Sequence, residues 1–186
     1  MIIKKISKVF IILVFLACIL SMFYFNSRTI MFSSNMGKCI DNFWDNEVSI
    51  KEVKDFEVYG KKFKLILSTP INNKKYKYLN CYEEKMNGLY YKYYQASEQG
   101  GSNNLFGFST VFVNDSNNGS YFTIVYGYNK DFQVASYEIK VNGLEKNIIS
   151  NVSSKEYFID AFKGKFQDIV NVIGKDGSNK INVFID

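Results

Sequence analysis

From Val9 to Phe25 the chain reads VFIILVFLACILSMFYF, seventeen residues with no charge and only Ser21 as a strongly polar side chain. As a helix this run spans roughly 25 Å, just short of a bilayer's hydrocarbon core. Ile6 extends it when the Lys8 side chain reaches back to the headgroups. Lys4, Lys5 and Lys8 precede the run and only Arg28 follows closely. That basic bias predicts a single-pass protein of the cell membrane, anchored through Val9–Phe25, with its N-terminus in the cytoplasm. The expected organisation is a cytoplasmic tail and transmembrane anchor over 1–26, a stalk over 27–37 and an exported domain over 38–186.

Two other readings of the run compete. A cleaved signal peptide wants small residues before the cut, but Phe25-Asn26-Ser27 and Phe32-Ser33-Ser34 both place Phe there. Around Cys18 the residues resemble a degenerate bacterial lipobox, in which Phe15 stands where Leu is usual and mostly apolar residues follow the cysteine. All three readings put the domain outside the cytosol.

About 160 residues remain for that domain, enough for one sizeable core. Three of the 23 basic residues lie in the tail, leaving 20 against 18 acidic, so the exported part carries +2 of the total +5. Neither charge nor location supports a nucleic-acid partner. The chain has 14 Tyr, 17 Phe and a single Pro, a composition that packs well on pleated sheets. It has no His, which disfavours Ser-His, Cys-His and zinc hydrolase mechanisms. No cofactor motif occurs: there is no C-x-x-C, no G-x-S-x-G and no phosphate-cradling glycine loop.

Ile40, Phe43 and Trp44 fall on one helical face, and Ser49 with Glu52 resembles a capping box, so 38–56 is predicted as a helical lead-in. After Gly60 the period becomes two. Strands are predicted near 62–69, 76–85, 89–96, 105–113, 121–128, 135–141, 144–149, 157–162, 169–173 and 180–185. Asn87-Gly88, Asn142-Gly143 and Asp176-Gly177 mark tight turns, and SEQGGSNN at 97–104 is the strongest internal boundary. The fold class expected is all-β: a β-sandwich ectodomain with a short N-terminal helical segment, behind one transmembrane helix.

Within 124–185, IVYGYNKDFQVASYEIKVNG, then YFIDAF, then IVNVIGKDGSNKINVFI resemble the bacterial Ig-like β-sandwich modules of surface proteins. The resemblance implies a spacer or binding unit without an active site. It does not extend to 27–104, and the antibody-type Cys, Trp, Cys spacing is not met, since Trp44 follows Cys39 by five residues.

Candidate sites are few. Cys39 and Cys81 either pair as a disulfide or are two separate buried thiols. Asp115, Asn117 and Gly119 suit a hairpin turn better than a calcium loop, for want of a distal Glu. Glu83, Glu84, Asp131, Glu138, Asp160 and Asp176 show no spacing that would pair two carboxylates for glycoside hydrolysis. Tyrosine and lysine interleave between Lys74 and Tyr94, and from these Tyr76, Tyr78, Tyr91 and Tyr93 with Lys75, Lys77 and Lys92 form the candidate binding surface. The competing reading of this stretch is a half-buried strand pair with Lys on its edge. The function expected is a membrane-anchored extracytoplasmic module binding a cell-envelope polymer or a partner protein, without enzymatic activity; the alternative is an exported hydrolase with carboxylates from distant strands. Protease treatment of intact cells should digest the domain and leave the anchor in the membrane fraction. A shortened, soluble chain in the medium would contradict that topology.

Overall fold

The computed structural model describes residues 10–20, 29–100, 106–113, 120–129, 133–142 and 144–178. Residues 10–20 form a helix, α1, whose side chains are all exposed. Among the described residues no helix is long and apolar enough to cross a membrane, and the rest of Val9–Phe25 lies outside them.

The sheet structure begins at Ile30. β1 (Ile30–Met31) pairs antiparallel with β5 (Tyr90–Gln99), Ile30 opposite Lys92 and Met31 opposite Tyr91. A 3-10 turn (Ser33–Asn35) leads into helix α2 (Met36–Trp44). The expected stalk over 27–37 is therefore docked structure from Thr29 onward, because its apolar Met31 has a buried place beside the sheet.

In α2 the residues Met36, Cys39, Ile40, Phe43 and Trp44 recur at the spacing of one helical face. Asp45, in the left-handed conformation, ends the helix, while the Asp41 carboxylate accepts the Val48 amide at 2.8 Å and starts the next strand. That strand, β2 (Val48–Val58), corrects the helical lead-in predicted over 38–56, whose helix ends at Trp44. It pairs along its length with β3 (Lys61–Pro70) across a tight turn in which Tyr59 and Gly60 have φ of 51° and 68°. Sheet pairing overrides the local helical spacing.

β4 (Lys77–Lys85) and β5 follow, joined where Asn87 and Gly88 take φ of 54° and 85°, as the dipeptide predicts. β5 runs to Gln99, so the expected loop from Ser97 begins later than predicted. Then come β6 (Phe106–Val113), β7 (Ser120–Tyr128), β8 (Val134–Asn142), β9 (Ile148–Asn151), β10 (Tyr157–Lys163) and β11 (Lys165–Gly174). The strand predicted near 180–185 and the Asp115–Gly119 turn lie outside the described residues. Among the described residues all pairings are antiparallel, in three sheets ordered β1-β5-β4-β3-β2, β10-β7-β6 and β11-β8-β9.

The sheets stack with the three-stranded β10-β7-β6 sheet in the middle. On one side Phe122, Ile124 and Tyr126 of β7 pack with Phe63, Leu65, Leu67, Leu79 and Cys81 of the five-stranded sheet. On the other, Val125 and Phe158 pack with Tyr137, Ile139, Val141 and Val172 of the third sheet. The outer face of the five-stranded sheet is covered by α2, which places Cys39 and Ile40 over Ile66, Tyr82 and Tyr91. Gly164 turns β10 into β11 with φ of 111°, and a Cβ there would come within 2.7 Å of the Asn142 carbonyl, so only glycine fits.

One charge joins all three sheets. Asp160 of β10 is 6% exposed and accepts hydrogen bonds from the Tyr137 hydroxyl of β8 at 2.7 Å, the Ser150 hydroxyl of β9 at 2.6 Å and the Lys54 ammonium of β2 at 3.2 Å. Lys155 adds a second cation at 3.7 Å. Burial raises the Asp160 pKa, but these hydroxyls and cations outweigh it and hold the carboxyl below its ordinary 3.8. A lowered folded pKa means that the network contributes its full stability above the ordinary value and loses it as pH falls through the folded one. Asp160→Ala leaves buried donors unpaired and should cost about 3–5 kcal/mol in urea unfolding at pH 7. The difference between wild type and variant should shrink as the pH is taken below about 4. A loss under about 1 kcal/mol at pH 7 would show that the carboxylate does not join the sheets.

Candidate interaction surface

The Tyr and Lys of the β4–β5 hairpin are split between core and solvent. Tyr78 and Tyr91 are each 8% exposed and Lys77 is 3% exposed, so these three members of the predicted binding surface are interior residues. Tyr82 is fully buried under α2. Tyr93 is half-buried, whereas Tyr76, Lys75 and Lys92 are exposed. A bulge in β5 explains the sorting. Cys81 is opposite Gln95 and Tyr82 opposite Tyr93, so Tyr94 is the extra residue. Tyr91 and Tyr93 thus face the helix, while Tyr94 and Gln95 both turn to the middle sheet and bond Phe112 O and Ser109 Oγ.

At the helix end Trp44 stacks on Tyr78 with centroids 4.1 Å apart and donates its indole N–H to Asn80 Oδ1 at 2.7 Å. Phe43 lies 5.0 Å from Tyr93. Trp44 is a packing anchor here: its ring closes the sheet face over polar Asn80. Burial raises the Tyr78 hydroxyl's pKa and lowers that of Lys77.

The expected choice for Cys39 and Cys81 is resolved in favour of free thiols. Cys39 sits under α2, its sulfur 3.6 Å from the Tyr82 hydroxyl, whereas Cys81 points by alternation to the opposite sheet face, among Leu65, Leu79 and Ile124. A sheet separates them. Burial raises both thiol pKa values.

The candidate carboxylates are held apart by structural duties. Glu83 is paired with Lys85 at 2.6 Å, Glu138 accepts from Asn147, Asp176 caps its own turn through Ser178, and Asp160 is locked in its network. Asp131 lies outside the described residues. Among the described residues no cluster of three acidic or cysteine ligands could hold a metal.

Sequence reading missed the end of the stack that carries the Tyr59-Gly60 and Met86–Leu89 turns. There Lys163 lies over the Tyr59 ring at 4.8 Å and Lys165 over the Tyr121 ring at 5.6 Å. Tyr121 packs against Phe112 at 5.2 Å and accepts, through its carbonyl, the Tyr59 hydroxyl and the Gly164 amide. Phe112 is 46% exposed and Tyr121 36%, and the turn residues Met86 and Leu89 protrude beside Lys62 and Lys85. Glu57, Glu83 and Glu84 are acids of the five-stranded sheet at this end, Glu83 being engaged by Lys85 and Lys61, and Glu145 follows Asn142, which is opposite Lys165. The residues come from seven strands and their turns, and no local motif links Tyr59 to Lys163.

No family model, curated protein or solved structure matches this chain.

The burial pattern separates core from surface tyrosines. Tyr91→Ser should lower stability by about 2–4 kcal/mol, and Lys92→Ser should leave it within about 0.5 kcal/mol. Thiol titration of the denatured, unreduced chain should find all three cysteines free. A single free thiol would mean that Cys39 and Cys81 pair.

Proposed function

We propose that the protein is a membrane-anchored extracytoplasmic interaction module whose contact surface is the basic, aromatic end around Tyr59, Tyr121, Lys163 and Lys165. Its partner is an anionic polymer of the cell envelope. The observation that carries this reading is the pairing of exposed lysines with tyrosine rings at that end. A ring beneath an ammonium holds the cation in place without neutralising it, so the charge stays available to phosphate or carboxylate groups on a partner. Phe112 and Leu89 add apolar area to the same end, which suits contact with the backbone of a polymer.

The topology expected from Val9–Phe25 and its preceding lysines puts this domain outside the cytosol. The likeness of 124–185 to Ig-like surface modules points the same way, since those residues supply most of β7 and all of β8 to β11. A binding role rather than catalysis is the reading that needs no further residues.

The test is retention of the detergent-solubilised full chain on isolated cell envelopes and on a polyphosphate matrix. The Lys163→Ser/Lys165→Ser double variant should lose about tenfold in affinity for both, a change of about 1.4 kcal/mol. Raising the salt should weaken binding of the wild type more than that of the variant. Stability should stay within about 0.5 kcal/mol for these surface changes. Equal retention of wild type and variant would refute the assignment.

A further inference from the structure

The free edges of the sheets are finished in different ways. β6 bounds the middle sheet, and its outward carbonyls are taken by side chains of β5: Gln99 Nε2 donates to Phe106 O, Gln95 Nε2 to Thr110 O at 3.3 Å and the Tyr94 hydroxyl to Phe112 O at 2.8 Å. On the other flank Lys54 meets β10 in the same way, donating to Ile159 O at 3.0 Å. Strands capped like this offer little backbone to another chain.

The edge of β11 is met by backbone instead. The Lys175 amide donates to Gln133 O, on the β8 side, at 3.0 Å, while the preceding Gly174 amide points the other way and donates to Ser178 O at 2.8 Å. Gly177, with φ of 77°, donates to Gly174 O at 3.0 Å, and the Asp176 carboxylate accepts the Ser178 amide at 3.0 Å. These are the bonds of a three-residue hairpin loop, a type I turn followed by a glycine in the left-handed region, closed by the pair Gly174 and Ser178. A hairpin sends the chain back antiparallel along the strand it has just left, and this one leaves on the side of β11 away from β8. Ser178 is the first rung of a ladder on that edge.

The register follows from the rung. Counting from Gly174 and Ser178, Val172 falls opposite Lys180, Asn171 opposite Ile181 and Ile169 opposite Val183. Residues 179–186, NKINVFID, lie outside the described ones; their sequence sets Ile181, Val183 and Ile185 at the spacing of one strand face. The flank they would meet is apolar and incompletely covered. Ile139 of β8 is fully buried, whereas Ile169 and Phe166 of β11 and Phe108 of β6, which stacks on Phe166 at 4.6 Å, are half-buried. Phe106, Phe108, Tyr137, Ile169 and Val172 line a narrow apolar slot between β6 and β11.

We propose that the free edge of β11 is a docking site for the chain's own residues 179–186, which add to the third sheet as an antiparallel strand and cover the Phe108, Phe166 and Ile169 flank. Ladder bonds to the edge give such an added strand its affinity, and alternate side chains give it its register. The hairpin favours this occupant over any other chain, because it holds the segment beside the edge at high effective concentration. The edge is thereby withdrawn from pairing with other molecules.

The experiment uses the detergent-solubilised full chain carrying Cys18→Ser, with Cys39 and Cys81 left buried. Asn171→Cys/Ile181→Cys sets two thiols directly opposite each other, and Asn171→Cys/Phe184→Cys displaces the second by about 10 Å along the strand. Mild oxidation should bridge the first pair within one chain about tenfold or more faster than the second, because a disulfide needs Cα atoms within about 7 Å. Equal rates would overturn the proposal, as would a bridge that forms between two chains and not within one. A second readout leaves the domain unaltered. The Val172 amide, on the same side of β11 as that of Gly174, should exchange about tenfold or more slower, relative to the amides of β7, in the full chain than in a chain stopped after Ser178. The same relative rate in both chains would refute the docking.

Discussion

A sheet whose central strand is covered on both faces cannot fold by itself, and the middle sheet of this protein, with Phe122–Tyr126 of β7 buried throughout, is such a sheet. Phe122, Ile124 and Tyr126 of β7 face the five-stranded sheet and Val125 faces the third. Each large apolar side chain so buried contributes about 1.5–3 kcal/mol, realised only when its covering sheet is in place. The three sheets thus stabilise one another through β7. Asp160 adds specificity to that packing, because its donors come from Lys54 on one covering sheet and from Tyr137 and Ser150 on the other. Slipping either neighbour would strand a buried carboxylate, a penalty that an apolar contact would not impose.

This layered construction decides which surfaces stay open. One flat face is largely occupied: α2 closes one side of the five-stranded sheet, and Tyr82 and Tyr91, the second of which the sequence offers as a contact residue, fill the space beneath it. The outer face of the β11-β8-β9 sheet stays open, as do the two ends of the stack, where strands turn and side chains from several sheets meet. One end gathers Lys163 and Lys165 over tyrosines, and the other carries the connection from β3 to β4.

Much of the β architecture was legible because side-chain alternation and turn dipeptides are local signals. Val134–Asn142 alternates and lies on a sheet with one open face; Asn87-Gly88 makes its hairpin. Bulges defeated the rest. In β2 an extra residue between Ile50 and Glu52 puts Ile50, opposite Ser68, and Val53, opposite Ile66, on the same face. That spacing of three imitates a helix. In β5 the bulge at Tyr94 reverses the parity of everything after it, so the exposed rings could not be assigned by counting. The run FTIVY, residues 122–126, lacks alternation, the mark of a strand covered on both faces, yet which sheets cover it is a long-range fact absent from the letters. Likewise, the separation of Cys39 from Cys81 depends on which side of a sheet each occupies. The basic aromatic end, assembled from distant turns, carries no sequence signature at all.

The dependence of the whole on a doubly covered middle sheet is tested most directly by native-state hydrogen exchange resolved to individual strands. Amides of β7 from Phe122 to Tyr126 should exchange slowest, at the rate set by global unfolding, and those of the edge strand β9 should exchange much faster through local opening. Exchange in β7 as fast as in β9 would contradict the account, because it would mean that the middle sheet opens without first losing its neighbours.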